Sequence, residues 1–239
     1  MTSFFSDVEM EELAEGLIRQ FLGQDLEVPL RVDIEGFLTG HLGLPLKFRS
    51  FAEEDFSKIG FISDGITPLR VMEGRQPVQE VFPKGTVVLE KCLQRRDEGS
   101  RRRFTIAHEA GHYILDRTVT MAFFHREFDR ERAHSPQELR ELLSFREARV
   151  DRLAAALLMP GFMVREVLER FEVTGLIPIF GSNLLRLEDK LLVQKMAGAM
   201  GVSYTAFLIR LKELHLLARH DISEYIASEI GLGNEAMAL

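Results

Sequence analysis

The sequence predicts an α+β protein in which a small antiparallel or mixed sheet lies between helical segments. Short apolar runs separated by tight-turn residues predict strands at 46–48, 60–62, 69–71, 78–82 and 86–89. Before them, apolar residues recur at helical spacing over 8–22 and 34–42. From Arg101 onward the spacing is helical again, and we expect helices to the end of the chain, with a loop at 175–182.

The composition is typical of a globular protein without bulk affinity for polyanions. Hydrophobic residues make up 46% of the 239 residues and charged residues 28%, which are ordinary values for a packed domain. The net charge of −7 argues against binding nucleic acid or an anionic membrane through overall charge. The single cysteine, Cys92, allows no internal disulfide. We expect a cytoplasmic, non-membrane protein, because no secretory signal and no apolar run of ~18 residues is present.

Two of the predicted helices carry the candidate metal-ligating and catalytic residues. The first covers 103–115. The second begins at Ser135, Pro136 and Glu138, which match an N-cap hydroxyl, a first-position proline and a capping-box acid. It ends at the helix-breaking sequence Met159-Pro160-Gly161.

The first of these helices contains His108-Glu109-Ala110-Gly111-His112, an HExxH arrangement. Two histidines at i and i+4 lie on one face of a helix, so both imidazoles can bind one divalent cation while Glu109 lies beside it. The surrounding residues are apolar, and burying such polar groups without partners would cost of order 2–7 kcal/mol each. The pattern therefore favours a metal site over two histidines satisfied by ordinary hydrogen bonds.

A third ligand is expected on the second helix, because a catalytic zinc site has three protein ligands. Glu147 and Asp151 fall on its inward apolar stripe, and we assign Glu147 as ligand and Asp151 as the carboxylate that orients a ligand histidine. Glu138 and Glu141 are the fallback ligands. The alternative places Glu147 in a surface network with Arg103, Arg146 or Arg149. The ligand set favours Zn²⁺, with Mn²⁺ or Fe²⁺ as alternatives.

Two segments of this sequence resemble the ImmA/IrrE family of metallo-endopeptidases. Residues 102–115 read RRFTIAHEAGHYIL and resemble the family segment RxRFTIAHExGHxxL. Residues 151–160 read DRLAAALLMP and resemble (N/D)xFAAxLLMP. One departure from the family pattern ExEA(N/D) matters for the site, because Arg149 takes the place of the second glutamate and only Glu147 remains.

This resemblance implies a zincin-like fold and an intracellular zinc-dependent endopeptidase. Its implied substrate is a helix-turn-helix transcriptional repressor of the Cro/CI type. In this interpretation Glu109 is the catalytic base, and a sheet edge holds the peptide extended by strand addition. The alternative is a metal-containing regulator that binds a repressor or DNA without proteolysis, and a third interpretation is a purely structural metal domain.

The segment 116–134 joins the two metal-site helices and exceeds the ~12–15 residues of an ordinary connection. We predict that it is a lid or a substrate-facing segment. Its histidines, His125 and His134, are candidates for stabilising the oxyanion that forms during peptide hydrolysis.

The sequence predicts two domains, a metallopeptidase domain at 1–165 and a helical region at 166–239. Within the second, 187–217 reads as a helix, a turn at Gly201 and another helix capped by Ser203, which resembles a helix-turn-helix unit. Residues 182–219 hold six basic and three acidic residues, a net charge of +3. This charge is low for a DNA-binding unit, so we favour helical packing or docking of a partner over DNA binding.

Overall fold

A computed structural model describes residues 5–23, 27–54, 58–118 and 136–231, with the backbone alone at 118, 136–143 and 230. The helices are α1 (Asp7–Leu22), α2 (Ile34–Gly36, continued by a π-helical turn at Phe37–His41), α3 (Gly99–Thr118), α4 (Pro136–Leu158), α5 (Gly161–Arg170), α6 (Leu187–Met200), α7 (Tyr204–Glu213) and α8 (Ile222–Tyr225, continued by a π-helical turn at Ile226–Ile230). The strands are β1 (Leu46–Arg49), β2 (Gly60–Ile62), β3 (Leu69–Glu73), β4 (Gln76–Glu80), β5 (Val87–Glu90), β6 (Ile177–Phe180) and β7 (Leu217–His220). Two 3-10 turns, Lys91–Gln94 and Arg96–Glu98, connect β5 to α3. The mixed α+β class is confirmed.

The central sheet is mixed and has the strand order β1-β5-β2. Strand β5 pairs in parallel with β1, with Val87 opposite Leu46, and antiparallel with β2, where Leu89 lies opposite Gly60. Strands β3 and β4 form a separate antiparallel hairpin. All five strands predicted between 44 and 93 are present, and β2 lies at an edge of the central sheet beside α3.

Helices α3 and α4, which carry the candidate metal ligands, pack directly on each other in the main hydrophobic core. Ile106 and Ala110 of α3 and Val150 and Leu153 of α4 are fully buried in it. Gly111 permits the close approach, because a Cβ atom at this position would lie 3.2 Å from Cγ1 of Val150. The core thus fixes the relative position of the two helices that carry the candidate ligands.

The carboxyl-terminal third differs from the all-helical prediction. The segment expected to be a loop at 175–182 contains β6, and the end of the predicted helix at 217 lies in β7. The two strands pair in parallel, with Ile177 opposite Leu217, and Ile177 and Ile179 are buried. The prediction was wrong because each strand is short and pairs with a residue far away in the sequence, which leaves no local period.

The predicted boundary between domains at residue 165 stays a prediction. None of the helices that the structure describes is both long and apolar enough to span a membrane.

Arg210 of α7, a buried residue that is 1% exposed, connects α7 to two other segments of the chain. Its Nε donates to the carbonyl of Met159 at 2.9 Å, and it forms ion pairs with Glu11 of α1 and Glu213. Glu11 also accepts a hydrogen bond from the backbone of Gly161. Arg210 contributed to the basic charge considered for DNA binding, but its burial and these pairs leave it unsuited to contact a phosphate.

We expect the Arg210→Met variant to lose about 3 kcal/mol of unfolding free energy, because it leaves buried or half-buried acceptors without their cation. Urea denaturation of the metal-free protein measures this change. Arg165→Met is the control, since Arg165 is an exposed residue that contacts Glu15 of the same helix α1 at 3.7 Å. Its loss should stay below about 1 kcal/mol. Equal losses in the two variants would contradict a structural role for the buried guanidinium.

Candidate metal centre

Helix α3 brings two imidazoles together on its partly exposed face. The Nε2 atoms of His108 and His112 lie 3.0 Å apart, and their ring centroids are separated by 4.7 Å. This proximity follows from the i, i+4 spacing, which places the residues one above the other on one side of a helix. Both side chains are partly buried, with 21% of His108 and 15% of His112 exposed to solvent.

Glu147 of α4 supplies a third potential ligand atom. Its Oε2 lies 3.2 Å from His108 Nε2 and 3.6 Å from His112 Nε2, and the three ligand atoms all lie within 4.8 Å of one another. Tetrahedral zinc with bonds of about 2.0–2.2 Å keeps its ligand atoms roughly 3.3 Å apart. The observed separations of 3.0, 3.2 and 3.6 Å match this spacing. The three side chains therefore fit a divalent cation.

Asp151, one turn after Glu147, orients the first imidazole. Its Oδ1 lies 2.8 Å from Nδ1 of His108. An ionised carboxylate can only accept, so Nδ1 carries the hydrogen and the lone pair lies on Nε2, directed at Glu147 and His112. A carboxylate that fixes the tautomer in this way is common behind metal-bound histidines.

Glu109 lies beside the candidate ligands, between α3 and strand β2. It is buried, and this burial, together with the smaller effect of the charge of Glu147, raises the pKa of Glu109 to about 8. A hydrogen bond from the backbone of Ile62 opposes the increase. Burial and the neighbouring His108 lower the pKa of His112, which favours the neutral ring that binds metals. A cation beside these groups would favour the carboxylate form of Glu109.

The structure brings together the five candidate residues of α3 and α4, which are His108, Glu109, His112, Glu147 and Asp151. Glu147 and Asp151, however, are edge residues with side chains 48% and 55% exposed, and not members of the inward stripe on which the sequence interpretation placed them. Val150 occupies that stripe, because it packs against Gly111.

The arginines of the alternative surface network have other partners. Arg103 donates to the carbonyl of Gly201 at 3.1 Å, and Arg146 donates to Asp116 at 2.9 Å. Arg149, at the position that departs from the family pattern, donates to the carbonyl of Phe5 at 2.7 Å. This contact directs its side chain toward the amino-terminal segment and away from the ligand atoms.

Four candidate residues of the sequence interpretation lie, entirely or with their side chains, outside the described part of the chain. His125 and His134, the candidate oxyanion stabilisers, lie outside the described residues, as does the predicted lid from 119 onward. The side chains of Glu138 and Glu141 also lie outside them.

Sequence reasoning missed two features beside the ligands. One is Gly60 of β2, which contacts Glu109, and the other is the ion pair of Asp116 with Arg146. Neither gives a local signal, since each contact joins residues on different elements.

A comparison with protein-family models shows to which family the chain belongs. The IrrE N-terminal-like domain of peptidase family M78 matches residues 92–212, which is just over half of the chain. The chain belongs to this family. The resemblance inferred from the two sequence segments is thereby confirmed, and the family is one of peptidases. No curated protein sequence matches the chain. The matched region runs from the turn after β5 through α7 and includes all three potential ligands.

Proposed function

We propose that this protein is a zinc-dependent endopeptidase that cuts a protein substrate. The observation that carries the proposal is the convergence of His108, His112 and Glu147 within 4.8 Å, beside the buried Glu109, in a member of a peptidase family. Two imidazoles and one carboxylate are ligands that zinc accepts in hydrolytic sites, and they favour it over Mn²⁺ or Fe²⁺. Three protein ligands are also the number typical of catalytic zinc, whereas structural zinc commonly has four.

The side chains divide the chemistry between them. His108, His112 and Glu147 would hold the cation, and Asp151 would keep Nε2 of His108 directed at it. When bound, the cation supplies Lewis-acid polarisation of the scissile carbonyl and lowers the pKa of a water molecule. Glu109 would accept a proton from the attacking water and deliver it to the leaving amine.

Strand β2 offers an edge for the substrate. Glu90 donates to the carbonyl of Ile59, and Ser63 donates to that of Thr86, so residues 59 and 63 direct their backbone groups toward β5 and its extension. In an antiparallel ladder the direction alternates, and the backbone groups of Gly60 and Ile62 therefore face the other edge, where the backbone of Ile62 also donates to Glu109. A peptide added there as a further strand would lie beside Glu109. This placement corresponds to the zincin-like arrangement that we propose.

We expect Gly60→Ala to lower kcat for peptide cleavage by at least about 10-fold, through displacement of the general base. A Cβ atom at this position would overlap Oε1 of Glu109 and lie 2.6 Å from Cγ2 of Thr105, so these side chains or the strand must shift. Steady-state kinetics measures the effect. Gly198→Ala is the control, because nothing lies within 4 Å of the added methyl group. Wild-type kcat in Gly60→Ala would contradict the positioning of Glu109 by β2.

The proposed substrate is a helix-turn-helix repressor of the Cro/CI type in the cytoplasm, in line with the family resemblance. The test incubates the purified protein with Zn²⁺ and the repressor encoded nearest its gene, and analyses the products by mass spectrometry. We expect two fragments from one cleavage, and none after removal of the metal with a chelator. An intact repressor in the presence of bound zinc would contradict this substrate, and cleavage that survives complete metal removal would contradict the mechanism.

DNA binding through 187–217, the basis of the alternative as a non-proteolytic regulator, stays a prediction. Its turn has the expected form, with Gly201 at φ 69° and Ser203 accepting a hydrogen bond from the backbone of Ala206. The burial of Arg210 reduces the charge that α7 can offer to phosphates. Salt-dependent binding to operator DNA, with no repressor fragments in the presence of zinc, would favour this alternative.

A further inference from the structure

An ion pair joins the two metal-site helices beside the candidate ligands. Nη2 of Arg146 lies 2.9 Å from Oδ1 of Asp116 and 3.2 Å from Oδ2. Asp116 follows His112 by four residues on the same face of α3, and Arg146 immediately precedes Glu147 on α4. The pair therefore links α3 to α4 about one helical turn, or ~5 Å, beyond His112.

We propose that the Asp116–Arg146 pair is a positioning clamp that holds Glu147 at bonding distance from the cation. This inference rests on the proposed metal site. Glu147 is the only member of the ligand cluster from α4, so its position depends on how α4 lies against α3. On one side of Glu147, Val150 packs against Gly111. On its other side, Arg146 is bound to Asp116. Glu147 is thus bracketed by two contacts between the same two helices.

The partial exposure of the pair is consistent with a role in positioning and not in global stability. The side chains of Arg146 and Asp116 are 39% and 56% exposed, and ion pairs of this kind contribute little to folding. A small displacement of Glu147 matters more for the metal, because its Oε2 must stay within bonding reach of a cation that the two imidazoles also hold. Outer partners of metal ligands typically affect affinity by about 10–100-fold.

A purely electrostatic role makes a different prediction. The Asp116 carboxylate attracts a nearby cation, and the Arg146 guanidinium repels it. If charge alone mattered, Asp116→Asn would weaken zinc binding and Arg146→Gln would strengthen it. A clamp requires both partners, so each substitution should weaken binding, and an exchange of the two residues should restore it.

The experiment measures the Zn²⁺ dissociation constant of the full-length protein by competition with a chromogenic chelator. We expect Asp116→Asn and Arg146→Gln each to raise this constant about 10-fold. The doubly substituted protein Asp116→Arg/Arg146→Asp should return to within about 3-fold of wild type. The visible absorption spectrum of the Co²⁺-substituted protein, which reports ligand geometry, should shift in both single variants and return in the exchange.

The chain offers a matched control on the same helix. Arg152 of α4 pairs with Asp7 of α1 at 3.0 Å, with side chains 35% and 64% exposed. This pair resembles the clamp in distance and exposure but attaches α4 to α1. Asp7→Asn and Arg152→Gln should leave the zinc dissociation constant and the Co²⁺ spectrum unchanged.

Three outcomes would overturn the clamp. They are unchanged zinc affinity in both single variants, opposite changes in the two, or equal weakening in the Asp7 and Arg152 controls. Unfolding of the metal-free variants identifies any variant that fails to fold, and Arg146→Lys then serves as the conservative replacement, with a smaller loss of affinity expected. The test needs no substrate, so its failure is distinguishable from failure of the proposed function, in which zinc binds normally and no peptide bond is cut.

Discussion

Replacement of Glu109 by glutamine is expected to lower kcat for substrate cleavage by about 10²–10⁴-fold, which is the usual contribution of a general acid–base group. The glutamine amide cannot accept the proton of the attacking water, yet it nearly preserves the size of the side chain between α3 and β2. Zinc content should therefore remain at the wild-type level, since Glu109 is not a member of the ligand cluster.

The measurement combines steady-state kinetics with metal analysis of the same preparation. A loss confined to kcat, with KM little changed, is the expected signature of a residue that acts in the transition state. Glu169→Gln is the control, because Glu169 is an exposed residue of α5. Full activity of Glu109→Gln with bound zinc would rule out the assigned role.

The second large effect is expected for Glu147→Ala, which removes one of three ligands. Its zinc affinity should fall by more than about 100-fold, beyond the range typical of outer partners. Asp151→Asn leaves all three ligand atoms in place and weakens only the orientation of His108, so the loss there should lie at about 10–100-fold. Titration of the metal-free proteins with zinc gives both values.

The order of these two losses separates a ligand from a supporting carboxylate. Glu138→Ala and Glu141→Ala are the controls, because these glutamates on the same helix are the fallback ligands and should leave affinity unchanged. If either control released zinc while Glu147→Ala retained it, the proposed ligand set would be wrong.

Local sequence spacing was sufficient to predict that the imidazoles of His108 and His112 lie close together. His108 and His112 face the same side because the turn of an α-helix dictates it, whatever the rest of the fold does. The same reasoning placed Glu147 and Asp151 one turn apart on the second helix. The partial exposure of Glu147 and Asp151 was not predictable, because it depends on the rotation of α4 about its axis. The packing of Val150 against Gly111 sets this rotation.

Contacts between segments that are distant in the sequence were not predicted. Strands β6 and β7 were missed because each forms by pairing with the other, as Ile177 does with Leu217. Helices α6 and α7 separate the two strands in the sequence. The burial of Arg210 was also missed, because its partner Glu11 belongs to the first helix.

By itself, the sequence determined the family, the α+β class and the helical spacing of the candidate metal ligands, all of which depend on neighbours within a few turns. Only the tertiary structure decided the contact of Gly60 with Glu109, the distance from Glu147 to the imidazoles and the pairing of Asp116 with Arg146. The physical reason is that backbone geometry fixes distances within a helix, whereas distances between elements result from packing of the whole core.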